Sequence, residues 1–145
     1  NFFCTSPVCS PARASLLTGT IPSQHGVHDW LRDDDEKQSA LEYLAGQYSY
    51  TKALAENGYC CALSGKWHMG AAGKVQQGFT HWFSHKSGGG PYYGAPMYKD
   101  GVLYREERYV TEAITEDALE FLDTRREQEQ PFYLHVPIRL PMLHG

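Results

Sequence analysis

The stretch "ALAENGYCCALSGKWHMG", Ala53–Gly70, changes its repeat halfway along. Alanine and leucine up to Asn57 suit a helix over Tyr50–Asn57, with Leu54 on its apolar side and Gly58 ending it. Tyr59–Ser64 then reads as a short apolar strand of the buried type, turning at Gly65. The same order returns downstream. Val110, Ile114, Ala118 (or Leu119), Phe121 and Leu122 recur at helical spacing within Arg108–Arg126, and acidic residues fill the other face. Pro131 leads into "FYLHVPI", a second buried-type strand. Helix–strand followed by helix–strand predicts an α/β sandwich of mostly parallel strands with flanking helices.

The 145 residues are enough for one domain with a sizeable core. A formal net charge of −4 gives no basic footprint for nucleic acid. No apolar run approaches the roughly 20 residues of a spanning helix. The chain begins at Asn1, so it reads as a processed piece or fragment. Cys60 and Cys61 sit in the apolar strand and read as small buried hydrophobes. Cys4 and Cys9 would close a small disulfide loop only against the restriction of Pro7 and Pro11. Ile21–Lys37 reads as loop. Gly70–Gly101, rich in glycine, proline and aromatics, reads as an irregular stretch that builds a site.

Two clusters carry possible chemistry. In "CSPARASLLTG", Cys9–Gly19, Ser10 reads as a cap, Pro11 fits the first turn and Gly19 the stop. Cys9 would then lie at the positive end of a helix, suited to an anion or a thiolate. Arg13, one turn on, carries a planar charged fork for tetrahedral oxyanions. A buried cysteine beside a surface arginine explains the same residues. In "SGKWHMG", Lys66 and His68 are two apart and project the same way from extended backbone. They follow a strand's carboxyl end, where α/β folds place ligand chemistry. A surface lysine and a hydrogen-bonded histidine are the plainer alternative.

Taken together, "CSPARASLLTG" and the later "GKWHMG" closely resemble the sulfatase family of the alkaline-phosphatase-like superfamily. "NFFCTSPVCSPAR", "IPSQHGV", "GFTHWF" and "PFYLHV" extend the resemblance from Asn1 to about Val136. It implies that Cys9 is oxidised to formylglycine, whose hydrate attacks sulfur and then expels sulfate. Arg13 would support residue 9, Lys66 would bind sulfate, and His68 would bond the hydrate or act as acid and base. A calcium ion, or magnesium, is implied, with Cys9 as formylglycine among its ligands and the remaining ligands outside this chain. Residues 1–145 would be part of a single catalytic domain lacking its first strand and its C-terminal portion, and inactive or nearly so alone. "DDD", Asp33–Asp35, reads as a solvated acidic turn rather than a replacement metal pair. Met142 stands where the family has a sulfate-contacting histidine, with His144 nearby.

A sulfated glycan or aryl sulfate is the implied substrate, in a periplasmic, secreted or lysosomal setting. His28, Asp29 and Trp30, together with His85 and Lys86 of the aromatic loop Phe79–Tyr98, are the candidate substrate contacts. His25 reads as structural, and Gly88–Gly90 as allowing close backbone approach. Exposed sheet edges predict self-association. A phosphonate or phosphate ester hydrolase of the same superfamily, or a non-catalytic scaffold with unmodified Cys9, are the alternatives.

Overall fold

The computed structural model describes residues 3–32 and 36–138. Ten elements follow in order: α1 (Cys9–Thr18), α2 (Pro22–His25), α3 (Glu36–Ala40), α4 (Tyr50–Glu56), β1 (Cys60–Gly65), β2 (His81–His85), β3 (Ala95–Lys99), β4 (Val102–Glu106), α5 (Val110–Arg125) and β5 (Phe132–His135). The strands form one sheet in the order β4-β3-β2-β1-β5. Parallel pairing of β1 with β5 is the part expected from the helix–strand repeats, and β2 adds a second parallel pair on the other side of β1. β2, β3 and β4 pair antiparallel, so the sheet is mixed.

Gly70–Gly101, expected as irregular, supplies β2 and β3 and with β4 the antiparallel half. Its hairpin turns on Asp100 and Gly101, at φ 49° and 85°. An Asp-Gly pair with both φ positive is the two-residue turn that matches strand twist. Ile21–Lys37 is not all loop: α2 falls within it and α3 begins at its end. α4 starts as its composition predicts: the Ser49 hydroxyl accepts the Lys52 N–H at 3.3 Å.

Neighbouring residues of β2 serve opposite faces of the sheet, as strand alternation requires. Trp82 joins Leu17, Leu63, Trp67 and Phe79 in the core beneath α1 and α4. There Trp67, Phe79 and Trp82 meet edge to face, with centroids 5.2–6.1 Å apart. Phe83 joins Met97, Val110 and Ile114 in a second core beneath α5. Cys61 is fully buried in β1, as expected, and Cys60 is half-buried. Cys4 and Cys9 are separate free thiols.

Candidate active site

α1 sets the site, but not by the cap expected of it. Its N-cap is Val8, in extended backbone and without a side-chain cap, and the Val8 carbonyl accepts the Ala12 N–H at 3.0 Å. Cys9 is therefore the first helical residue. Ser10 lies inside the turn, fully buried, where its hydroxyl accepts the Leu31 N–H at 3.3 Å. A buried hydroxyl needs a partner, and the loop after α2 supplies it. Gly19 closes the helix at φ 69°.

Arg13 stands one turn beyond Cys9. Its Nη1 donates to the Lys66 carbonyl at 2.7 Å, and the Lys66 N–H donates to Pro137 O at 3.0 Å. The peptide just beyond β1 is thus gripped between α1 and the chain beyond β5. Gly65 is needed for that approach: at φ 135°, a Cβ there would lie 2.6 Å from Pro137 O. Burial pulls the Arg13 pKa down, while proximity to Cys9 works in the other direction. The group stays charged, as arginine does in proteins.

Cys9, Arg13, Ser15, His135 and Pro137 line a cavity of about 530 Å³. That is within the range of small-molecule sites. His135 had no signal in the sequence, because a histidine in a strand shows no pattern of its own. Parallel pairing with Leu63 brings it to the carboxyl end of the sheet. Its Nδ1 bonds the Tyr133 hydroxyl at 3.1 Å, which in turn bonds the Tyr50 hydroxyl at 2.6 Å. Burial first, and Arg13 second, push its pKa down to about 4. The ring is therefore neutral at pH 7.

His68 lies outside that cavity, buried and at φ 58°. Its Nε2 is 3.0 Å from the Leu31 carbonyl. A carbonyl only accepts, so Nε2 carries the hydrogen of that bond, and in a neutral ring Nδ1 is then the acceptor nitrogen. Through Leu31, whose N–H is bonded to Ser10, His68 is tied to the turn that presents Cys9. His25 is buried, with Val27 N–H on Nδ1 at 3.1 Å and Ser15 Oγ on Nε2 at 2.9 Å. Both ring nitrogens are used, as a structural histidine's should be.

The remaining candidates are placed elsewhere. His28, Asp29 and Trp30 are exposed in the loop after α2, with the Trp30 N–H donated to Asp29 Oδ1 at 2.7 Å. They do not line the Cys9 cavity. His85 is buried at the end of β2, paired with Met97. Lys86 is exposed and lines a second cavity of about 310 Å³ with Ser87 and Tyr98, and a small hollow beside His68. Asp33–Asp35, Met142 and His144 lie outside the described residues. Among the described residues no three His, Cys, Asp or Glu side chains converge as metal ligands, so these residues alone do not fit a divalent cation. No described helix is long and apolar enough to cross a membrane.

The family model for sulfatases matches residues 1–139. The chain belongs to the sulfatase family. Mouse N-acetylgalactosamine-6-sulfatase is 29% identical to it over 93% of this chain and 31% of the relative. N-acetylglucosamine-6-O-sulfatase of Bacteroides thetaiotaomicron is 31% identical over 91% of this chain and 22% of its own length. This sulfatase chain thus spans less than a third of those two relatives. Among solved structures, BT4656 in complex with its substrate D-glucosamine-2-N,6-O-disulfate superposes with a TM-score of 0.77 at 30% identity. That match covers 94% of this chain and 25% of the other. Ps i-CgsB superposes with a TM-score of 0.81 at 26% identity, over 95% and 36%. The mixed α/β sheet with its flanking helices is accordingly the sulfatase fold.

Proposed function

We propose that this chain is the nucleophile-bearing part of a sulfuric ester hydrolase acting on sulfated glycans, with Cys9 matured to formylglycine. One observation carries the reading: Cys9 opens α1 and shares a cavity with Arg13, which is itself anchored to the peptide of Lys66. A hydrated aldehyde at residue 9 would supply the attacking hydroxyl and the means of releasing sulfate. The names of the two relatives above support 6-sulfated amino sugars as the substrate class. A periplasmic, secreted or lysosomal setting goes with that class.

The chain's own groups divide the work. The first N–H groups of α1 and the Arg13 guanidinium meet the negative charge of the sulfate group and stabilise it as the ester bond breaks. Because Arg13 is already bonded to the Lys66 carbonyl, little reorganisation is needed when the anion arrives. On this reading His68, although it does not line the Cys9 cavity, is the group that accepts the hydrate's proton once the mature site is complete, and Lys66 binds the sulfate group. Lys86, exposed at the hollow beside His68, is the candidate contact toward the sugar; His85 is buried, and His28, Asp29 and Trp30 stand outside the Cys9 cavity. Calcium or magnesium would need ligands from beyond the described residues, with residue 9 as this chain's contribution.

Matched aryl sulfate and aryl phosphate esters test the reading in the mature full-length enzyme. Sulfate turnover that exceeds phosphate turnover and disappears in Cys9→Ala is the expected result. Turnover untouched by Cys9→Ala would overturn it.

A further inference from the structure

The imidazole of His68 is held from two sides. On one side its Nε2 meets the Leu31 carbonyl at 3.0 Å. On the other lies the backbone of Gly88. A Cβ built there would fall 2.1 Å from Cε1 and Nε2 and 2.3 Å from Cδ2. Those distances are far inside van der Waals contact, so no residue with a side chain fits while the ring stays in place. The backbone on either side of His68 has little room to adjust, because Trp67 and Met69 are buried at 3% and 1% exposure. The 86–90 turn is anchored too. It follows β2 directly, the Lys86 N–H donates to Pro96 O at 3.0 Å, and the Ser87 hydroxyl donates to Gly89 O at 2.5 Å.

Gly88 and Gly90 lie in the same glycine run but meet different surroundings. A Cβ at Gly90 would meet nothing within 4 Å. Neither glycine has a left-handed φ. The requirement at 88 is therefore one of space, and the nearest atoms all belong to the His68 ring.

We propose that Gly88 is a positioning residue for His68: its bare backbone is the seat that keeps Nε2 on the Leu31 carbonyl and leaves Nδ1 as the acceptor. This rests on the reading of His68 as the proton-accepting group. The seat and the Leu31 carbonyl act together. Crowding at 88 pushes the ring off the carbonyl, which releases the tautomer and loosens the link through Leu31 to the turn carrying Cys9.

The test compares Gly88→Ala, Gly90→Ala, His68→Ala and the double variant His68→Ala/Gly88→Ala in the mature full-length enzyme, with 15N-histidine spectra beside kinetics. Gly88→Ala is expected to move the His68 signals away from the Nε2–H pattern and to lower kcat by about 100-fold, the scale of an ångström-sized misplacement, with KM within about twofold. It should also shift the limb of the pH–kcat profile that reports His68. Gly90→Ala should leave signals, profile and rate as they were. In the His68→Ala background, Gly88→Ala should cost no further activity and no further thermal stability, because the ring it would strike is gone. Unchanged His68 signals and kcat in folded Gly88→Ala overturn the proposal. So does an equal loss of stability from Gly88→Ala with and without the His68 ring. Should Gly88→Ala fail to fold, the unsubstituted protein still decides: a nuclear Overhauser contact between the Gly88 α-protons and the His68 ring is expected, and its absence overturns the proposal. If the enzyme instead proves inactive on sulfate esters, the spectra and the stability comparison still report the seat, whereas the catalytic reading fails by itself.

Discussion

Arg13 is the residue on which the electrostatics of the site turn. Its fork reaches the Lys66 carbonyl while its charge faces Cys9 and His135. A lysine at this position keeps the charge but loses the planar, shared geometry. In the mature full-length enzyme Arg13→Lys should lower kcat/KM on an aryl sulfate by about 10²–10³-fold, the scale for one oxyanion donor. A loss of less than about threefold would remove Arg13 from that role. His135 makes a different prediction, because its folded pKa is about 4. The unfolded ring takes a proton near 6.5 and the folded ring refuses it until about 4, so stability is full above pH 6.5 and falls as pH drops toward 4. His25, also lowered by burial, adds to the same slope. Urea unfolding of His135→Gln should show a shallower decline across that window, by up to about 3 kcal/mol. An unaltered decline would mean that His135 is not the neutral ring described. Cys9 and Arg13 were legible in the sequence because a helix start has its own grammar of proline, small residues and a terminal glycine. His135 was not, since its place depends on which strand β5 pairs with.

Among the elements, strand β1 is bound to α5. Leu63 is fully buried in the central parallel strands, and the Ser64 hydroxyl donates to the Ile114 carbonyl of α5 at 3.0 Å. Leu63→Ala should cost about 2–5 kcal/mol in denaturant unfolding, the range for a large-to-small core change. Asp117 of α5 is buried and bonds His81 Nε2 at 2.8 Å, with the Lys99 ammonium at 3.4 Å. It ties the helix to β2 and β3, and Asp117→Ala should lose about 2 kcal/mol, as for a hydrogen bond to a charged group. A change within 0.5 kcal/mol, the scale of an ordinary surface substitution, would show that the tie carries no weight. α4, α5, β1 and β5 were readable because their apolar residues repeat at a single period. β2 and β3 were not, because glycine and aromatics obscure the alternation in Phe79–Tyr98. One local sign was available: "KDGV", Lys99–Val102, is a hairpin turn by its chemistry alone. Val8 displaced Ser10 as the cap because Ser10's hydroxyl is used by Leu31, a contact 21 residues away.

For the whole molecule, the sheet ends among the described strands in β4 on one side and β5 on the other. β4 carries exposed Val102 and Leu103, and β5 begins with exposed Phe132. Open edges with apolar residues pair readily with other chains, so the isolated 145-residue chain should show light scattering that rises with concentration. A stable monomer at high concentration would count against that. The proposed chemistry makes residue 9 the nucleophile of a sulfatase. Its most direct test is the mass of the peptide bearing residue 9, taken from enzyme preparations that turn over an aryl sulfate. Conversion to formylglycine predicts a peptide about 18 Da lighter than the cysteine form, in a proportion that follows activity. Full activity from enzyme whose residue-9 peptide keeps the cysteine mass would contradict the claim.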